Sequence, residues 1–453
     1  MIDERVLLSD EQMQQFIRDG FVVVSIDVPQ AFHQSIRSQM DDLLEREPNP
    51  GNNLLPRIPD LARIYEDPAV TGALHSILGL DYQMEDHRFP HVNKRGSEPQ
   101  KIHKDGARRG EHRVRRAFGF YYPQDTPERH GPTGVLPGSQ YFNEMPDIPV
   151  LPLSSEAGVV IIAHYEIWHL ATANLEDHPR YMMKFQFTRT EEPDSPTWNF
   201  ENAEWDTDSR MLRAIWKWHQ GGQLAPEPAS TQDRGSLLKD LSEESEARRL
   251  EAAYCLAAFY GDGAVDDLVD ILHGSSKEAA QSALYGLAAI GAGSVGPLAS
   301  LLKDGTQDRR LYAAFALSEM GTEAASAESS LRDALRDEDP LVRRCVAEGL
   351  GNCQGPSVSE TIQALLPLFV DGEDRVRRAA AASVARLSGG LDRDAPDKMI
   401  ADLKTALSND NRYVRGLAAK ALERIGTPES LQIVIDWLHV SRWCPLTTAD
   451  SPF

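Results

Sequence analysis

Eleven of the thirteen histidines lie in the first half of the 453-residue chain, and three neighbourhoods there carry potential chemistry. His103 and Asp105, in Ile102-His103-Lys104-Asp105, stand two apart, so a strand would turn imidazole and carboxylate to one side. His169 follows 66 residues later, after the apolar run Val159 to Ala163. Two imidazoles and a carboxylate make a facial ligand set for non-haem iron that leaves coordination positions open. A His-x-Asp triplet alone is common, and a hydrogen-bonded surface pair is its ordinary explanation. Arg180 alters that weighting. It lies eleven residues past His169, beyond the turn-like Asn174 to Pro179, where a hairpin would return its guanidinium toward the histidine. Such a fork suits a carboxylate, as the distal end of 2-oxoglutarate requires.

Other residues compete for the same space. His87 and His91 have zinc-ligand spacing if helical, although Pro90 and the lack of a catalytic Glu pattern count against it. His164 is expected to orient a ligand or line the interior. Phe118, Phe120 and Tyr122 read as core, with a second co-substrate anchor on their strand as the alternative. Arg108, Arg109, Arg113, Arg115 and Arg116 read as a solvated rim, the alternative being a site for an anionic substrate.

The elements that must position these groups change character along the chain. Ser9 with Gln12 forms a capping-box pattern before an amphipathic helix, Gly20 stops it, and Phe21 to Val24 reads as a strand. A second helix follows Pro29, with Phe32, Ile36, Met40, Leu43 and Leu44 on its apolar face, and a third runs from Asp67-Pro68 to Gly79. From 82 to 190 short β-rich runs dominate, among them Ala117 to Tyr122, Val159 to Ala163 and Tyr181 to Thr188, which suits an antiparallel jelly roll or a sandwich. Residues 191 to 245 are rich in Pro and Trp, and Trp198, Trp205, Trp216 and Trp218 are expected to pack two domains together.

The second half repeats itself. Leu256, Leu287, Leu317, Leu350, Val384 and Leu422 occupy equivalent places, separated by 31, 30, 33, 34 and 38 residues, enough for two short helices and a turn in each of six units. Val342-Arg343, Val376-Arg377 and Val414-Arg415 precede Ala-rich helices, and Asp337 to Pro340, Gly372 to Asp374 and Asn409 to Asn411 supply caps and negative charge at the helix starts. The pattern resembles short HEAT-like repeats stacked as an α-solenoid. The expected domains are therefore 1–225, a linker at 226–244, repeats over 245–440 and a tail at 441–453.

A net charge of −22 disfavours general nucleic-acid binding, which depends on Lys and Arg neutralising phosphates. No apolar run reaches membrane-spanning length and the start lacks a secretory pattern, so a cytoplasmic protein is expected. Cys255, Cys345, Cys353 and Cys444 lack metal-finger spacing and are expected to be reduced and structural.

The order of features over residues 7 to 190 resembles the phytanoyl-CoA dioxygenase family: an opening helix, Gly20-Phe21 and a strand, His103-x-Asp105, Gly131 to Ser139, then His169 with Asn174 and Arg180. Ile102 and Lys104 depart from the residues usual around the first histidine. The resemblance implies a double-stranded β-helix in which His103, Asp105 and His169 bind iron(II) and Arg180 anchors 2-oxoglutarate. It further implies hydroxylation of a small molecule with dioxygen, releasing succinate and carbon dioxide. Asp105 stands where halogenating relatives carry a small residue, which favours hydroxylation or another oxidative outcome, with desaturation and ring closure as variants. A partner, or self-association, is expected through the repeats. The competing reading is a non-catalytic scaffold with a degenerate barrel; an isomerase or hydrolase on the same barrel would leave Arg180 without a role.

Overall fold

Ser9 caps the helix Asp10–Asp19 reciprocally, its hydroxyl accepting from Gln12 N–H at 3.3 Å while the Gln12 carbonyl accepts from Ser9 N–H at 3.0 Å. Gly20 ends the helix in the left-handed region at φ 85°, which a side chain would resist. The computed structural model describes residues 4–106, 109–222, 233–274, 276–391 and 394–441. The helix after Pro29 spans Gln30–Arg46 and buries Ile36, Met40 and Leu43, and also His33, which the apolar pattern does not reveal. Asp67 caps Pro68–Leu78 through Ala69 N–H at 2.9 Å.

Eight strands follow or interleave: β1 Phe21–Ser25, β2 Tyr82–Asn93, β3 Arg116–Tyr121, β4 Thr133–Val135, β5 Leu151–Pro152, β6 Val159–His164, β7 His169–Ala171 and β8 Arg180–Arg189. They form one five-stranded sheet, ordered β1-β6-β3-β8-β2, and one three-stranded sheet, ordered β5-β4-β7, with every pairing antiparallel. Alternation assigns the faces. Phe21, Phe118, Phe120, Ile161, Ala163 and Met182 from the larger sheet share one buried cluster with Val135, Leu153 and Ile167 from the β4 side. The opposite face of β3 and β8 packs on Tyr65, whose ring lies 4.0 Å from that of Phe185 and whose hydroxyl donates to Met183 O at 3.1 Å.

Two compact units divide the chain. The first runs to Asp206 and includes His219–Gly221; the second holds Thr207–Trp218 and the helices from Arg234 onward. Within the second unit Glu251 accepts from Ser209 Oγ at 2.9 Å and from Arg210 N–H at 2.5 Å, tying the start of the helix Arg210–His219 to the repeats. Of the expected linker, 226–232 lies outside the described residues, and the rest includes the helix Arg234–Asp240, packed on Glu246–Tyr260. Trp198 belongs to the first unit and donates to Asp10 at 2.6 Å.

In the second unit the equivalent positions Leu256, Leu287, Leu317, Leu350, Val384 and Leu422 are all fully buried, one on each of six helices that pack in succession. Asp339 and Asn411 cap their helices as expected, at 2.8 Å to Leu341 N–H and 2.9 Å to Tyr413 N–H. Glu373 makes no such bond; Asp371 instead accepts from Glu373 N–H at 2.9 Å. The arginines of the Val-Arg pairs clamp the preceding turn, since Arg343, Arg377 and Arg415 donate to Asp337 O, Asp371 O and Asn409 O at 2.8, 2.7 and 2.7 Å. Arg310 and Arg343 also reach into the next repeat, pairing with Asp337 at 2.7 Å and Asp371 at 2.8 Å. Cys255 and Cys353 are buried and unbridged, Cys345 is half-buried, and Cys444 lies outside the described residues. Among the described residues no helix is long and apolar enough to cross a membrane.

Candidate metal centre

The backbones of His103 and His169 pair directly. Each N–H donates to the other's carbonyl, at 2.9 and 2.8 Å, which extends β7 by one bridge and sets the ring centroids 4.6 Å apart. Each Nδ1 lies 2.9 Å from the carbonyl two residues earlier, Lys101 O for His103 and Ile167 O for His169. A carbonyl can only accept, so both rings carry hydrogen on Nδ1 and leave Nε2 as the atom that could ligate a metal. Asp105 faces the same point, with Oδ2 3.9 Å from His169 Nε2, and candidate ligand atoms of His103, Asp105 and His169 all lie within 4.8 Å of one another. Among the described residues this is the one such group of three.

Arg180 opens β8 opposite Asn93 of β2 and is buried. Its Nε donates to Gly131 O at 2.8 Å, and its Nη1 is buried without an acceptor among the described residues. Gly131 holds φ at 69°, and a Cβ there would stand 2.3 Å from Asn93 Nδ2 and 2.9 Å from Thr172 O. Gly131→Ala is therefore expected to lose at least about 1–2 kcal/mol from the left-handed backbone alone. Denaturant unfolding measures the loss, and an unchanged midpoint would contradict the crowding.

Lys184, four residues beyond Arg180 on the same face of β8, was not singled out from sequence. Its ammonium donates to Asp105 Oδ2 and sits 3.9 Å from the centre of the Phe118 ring. The side chain is only 4% exposed, against 31% for Asp105. The signal was the alternation Arg180, Met182, Lys184, Gln186 within an otherwise apolar strand. Burial lowers the Lys184 pKa and Asp105 opposes that shift. Burial alone would raise Asp105, but Lys184, His169 and His103 reverse this and hold its carboxyl below the usual value. Burial, reinforced by Lys184, pushes His169 down to about 4. Burial, Lys184 and Arg180 together push His91 down to about 3.

His91 and His87 lie on the strand β2, not on a helix, so their spacing of four separates them along the strand and the helical zinc pair is excluded. The Nε2 of His91 and the Nε2 of Gln186 are buried without hydrogen-bond partners among the described residues. His164 falls on the other face of β6 from Ile161 and Ala163, beside Phe16 and Tyr141, where its Nδ1 accepts from Glu166 N–H at 3.0 Å. Phe118 and Phe120 are core residues, and Tyr122 donates to Thr133 Oγ1 at 2.8 Å. The basic run is not a free rim: Arg115 is buried against Glu192 at 2.8 Å and Arg116 pairs with Glu111 at 2.7 Å, while Arg108 lies outside the described residues. Lys104 turns toward Glu166, 3.7 Å away.

A family model of HEAT repeats matches residues 295–386. No match is found among curated proteins. Among solved structures, the chain is similar to the non-haem alpha-ketoglutarate-dependent carbocyclase SnoK from nogalamycin biosynthesis, at 15% identity, covering 41% of this chain and 85% of that one, with a TM-score of 0.36. It is also similar to EctD from S. alaskensis with bound Fe, at 16% identity over 40% of this chain and 77% of that one, TM-score 0.36. CytC3 with Fe(II) and alpha-ketoglutarate matches at 17% identity over 41% of this chain and 78% of that one, TM-score 0.34. The chain thus carries a HEAT-repeat match within its helical half and resembles non-haem iron, alpha-ketoglutarate-dependent enzymes over about two-fifths of its length.

Proposed function

We propose that the first unit is an iron(II)/2-oxoglutarate-dependent oxygenase of the phytanoyl-CoA dioxygenase type, a double-stranded β-helix that hydroxylates a small molecule. The observation that carries this reading is the convergence of His103, Asp105 and His169 within 4.8 Å, in a unit where a buried arginine keeps one nitrogen without an acceptor. The donor set fits iron(II), being two imidazoles and a carboxylate whose ligand atoms gather at one point. Arg180 Nη1 fits one end of a dicarboxylate, because a buried guanidinium N–H without an acceptor is costly and an anion satisfies it.

Iron(II) and 2-oxoglutarate bound there would supply, with dioxygen, the oxidising power to break an unactivated C–H bond, yielding succinate and carbon dioxide. The chain's own residues do the rest. His103 and His169 bind through Nε2, oriented by Lys101 O and Ile167 O. Asp105 contributes the anionic ligand, Arg180 fixes the co-substrate's distal carboxylate, and Phe118 and Phe120 keep water from the interior. We assign this role to the residues up to about 206 and propose that the repeats, stacked as an α-solenoid, hold a protein partner or a second copy in the cytoplasm.

Anaerobic titration of metal-free protein with iron(II) and 2-oxoglutarate tests the reading through the visible charge-transfer band of the chelate. The parent is expected to develop the band, His103→Ala to lose it, and Arg180→Ala to need at least about tenfold more 2-oxoglutarate, the equivalent of one lost charge-assisted contact. Folded parent that retains no iron and shows no band would refute the assignment and favour the scaffold.

A further inference from the structure

The proposed co-substrate accounts for Arg180, and a second buried cation lies on the same strand face. Arg180 has its expected occupant, whereas Lys184 stands on the same face of β8, 4% exposed, against the rings of Phe118 and Phe120 and beside a carboxylate that the metal would share. Asp105, the carboxylate that Lys184 donates to, would also ligate the metal, so its single charge would serve two cations, and a further anion would stabilise the buried ammonium. Gln186, two residues further along the same face, keeps Nε2 buried without a partner among the described residues, which adds a neutral donor to that face.

Resting on the oxygenase reading, we propose that Lys184 and Gln186 bind a carboxylate of the substrate, so that the enzyme acts on a monocarboxylic acid. One carboxylate supplies a single negative charge to Lys184 and can accept from both donors. The scissile carbon then lies within a few bonds of that carboxylate, because Lys184 already touches a metal ligand.

The test uses full-length protein loaded anaerobically with iron(II) and 2-oxoglutarate, and reads the chelate's charge-transfer band while benzoate or hexanoate is added, with benzamide and hexanamide as neutral counterparts of the same shape. The acids are expected to shift the band saturably and the amides not to. Lys184→Met should still form the band yet need at least tenfold more acid for the same shift, and Lys184→Arg should retain the response. Equal responses to acid and amide, no response to either acid in the parent, or an unweakened response in Lys184→Met with a normal chelate band would overturn the carboxylate site and leave the oxygenase reading standing. Absence of the band in the parent removes the oxygenase reading, and this inference with it. Thermal unfolding of both variants shows that any loss is not a failure to fold.

Discussion

Metal-free protein should lose its first unit to acid at about pH 5, well above the pH at which carboxylates alone would undo it. His91, His112 and His164 are each pushed down to about 3 and His169 to about 4, with burial the first cause in every case, and burial also lowers His219 well below its ordinary value. An unfolded histidine titrates near about 6.5. Between that value and its folded pKa each group binds a proton only when the chain unfolds. Its contribution is therefore intact above about pH 6.5 and drains away as the pH falls. At pH 5 the loss is about 2 kcal/mol for each of the four histidines held at about 3 to 4, so together they remove a sum comparable with the roughly 5–15 kcal/mol that holds a typical domain. Urea unfolding at pH 7.5, 6.5, 5.5 and 5, followed by tryptophan fluorescence, measures the slope. A stability that stays flat from pH 7 to 5 would show that these rings are not held neutral.

The second large effect separates stability from metal binding. Asp105→Ala leaves the Lys184 ammonium, 4% exposed, without the one carboxylate it donates to. Breaking a buried pair from one side costs about 3–5 kcal/mol, and since Asp105 is 31% exposed we expect about 2–3 kcal/mol here. Adding Lys184→Met removes the stranded charge, and the double variant should recover most of that loss. Iron(II) affinity should fall in Asp105→Ala by more than the roughly 10–100-fold that follows loss of an outer-sphere partner, and should not recover in the double variant. Denaturant midpoints and anaerobic metal titrations of the four proteins complete the cycle. A double variant no more stable than Asp105→Ala would mean that Lys184 does not depend on Asp105.

Local spacing made much of this legible. His169 follows an unmistakable apolar strand and Arg180 follows a turn, so their elements can be read before any contact is known, whereas the strand suggested by the spacing of His103 and Asp105 is absent: His103 makes a single bridge and Asp105 lies in a bend. The repeat leucines are legible for a similar reason, because each must enter the same buried place in every unit. What the sequence concealed depends on partners distant in the chain. The carbonyls that set the histidine tautomers have no side-chain signature. Arg115 looks like part of a basic patch until Glu192, 77 residues away, is found against it. Lys184 looks like a solvent-facing strand residue unless its parity with Arg180 is noticed. The tie of Ser209 to the repeats is hidden in the same way, because it is made by Glu251, 42 residues further along the chain.

The reciprocal bridge between His103 and His169 makes their separation a property of the main chain, as inelastic as a rung of sheet. Asp105 lies two residues outside that rung, partly in solvent and free of any strand. If a metal binds there, ions of different radius would have to be accommodated almost entirely by the carboxylate's reach, so discrimination of ionic size would rest on the loop that carries Asp105 while the two imidazoles act as a fixed gauge.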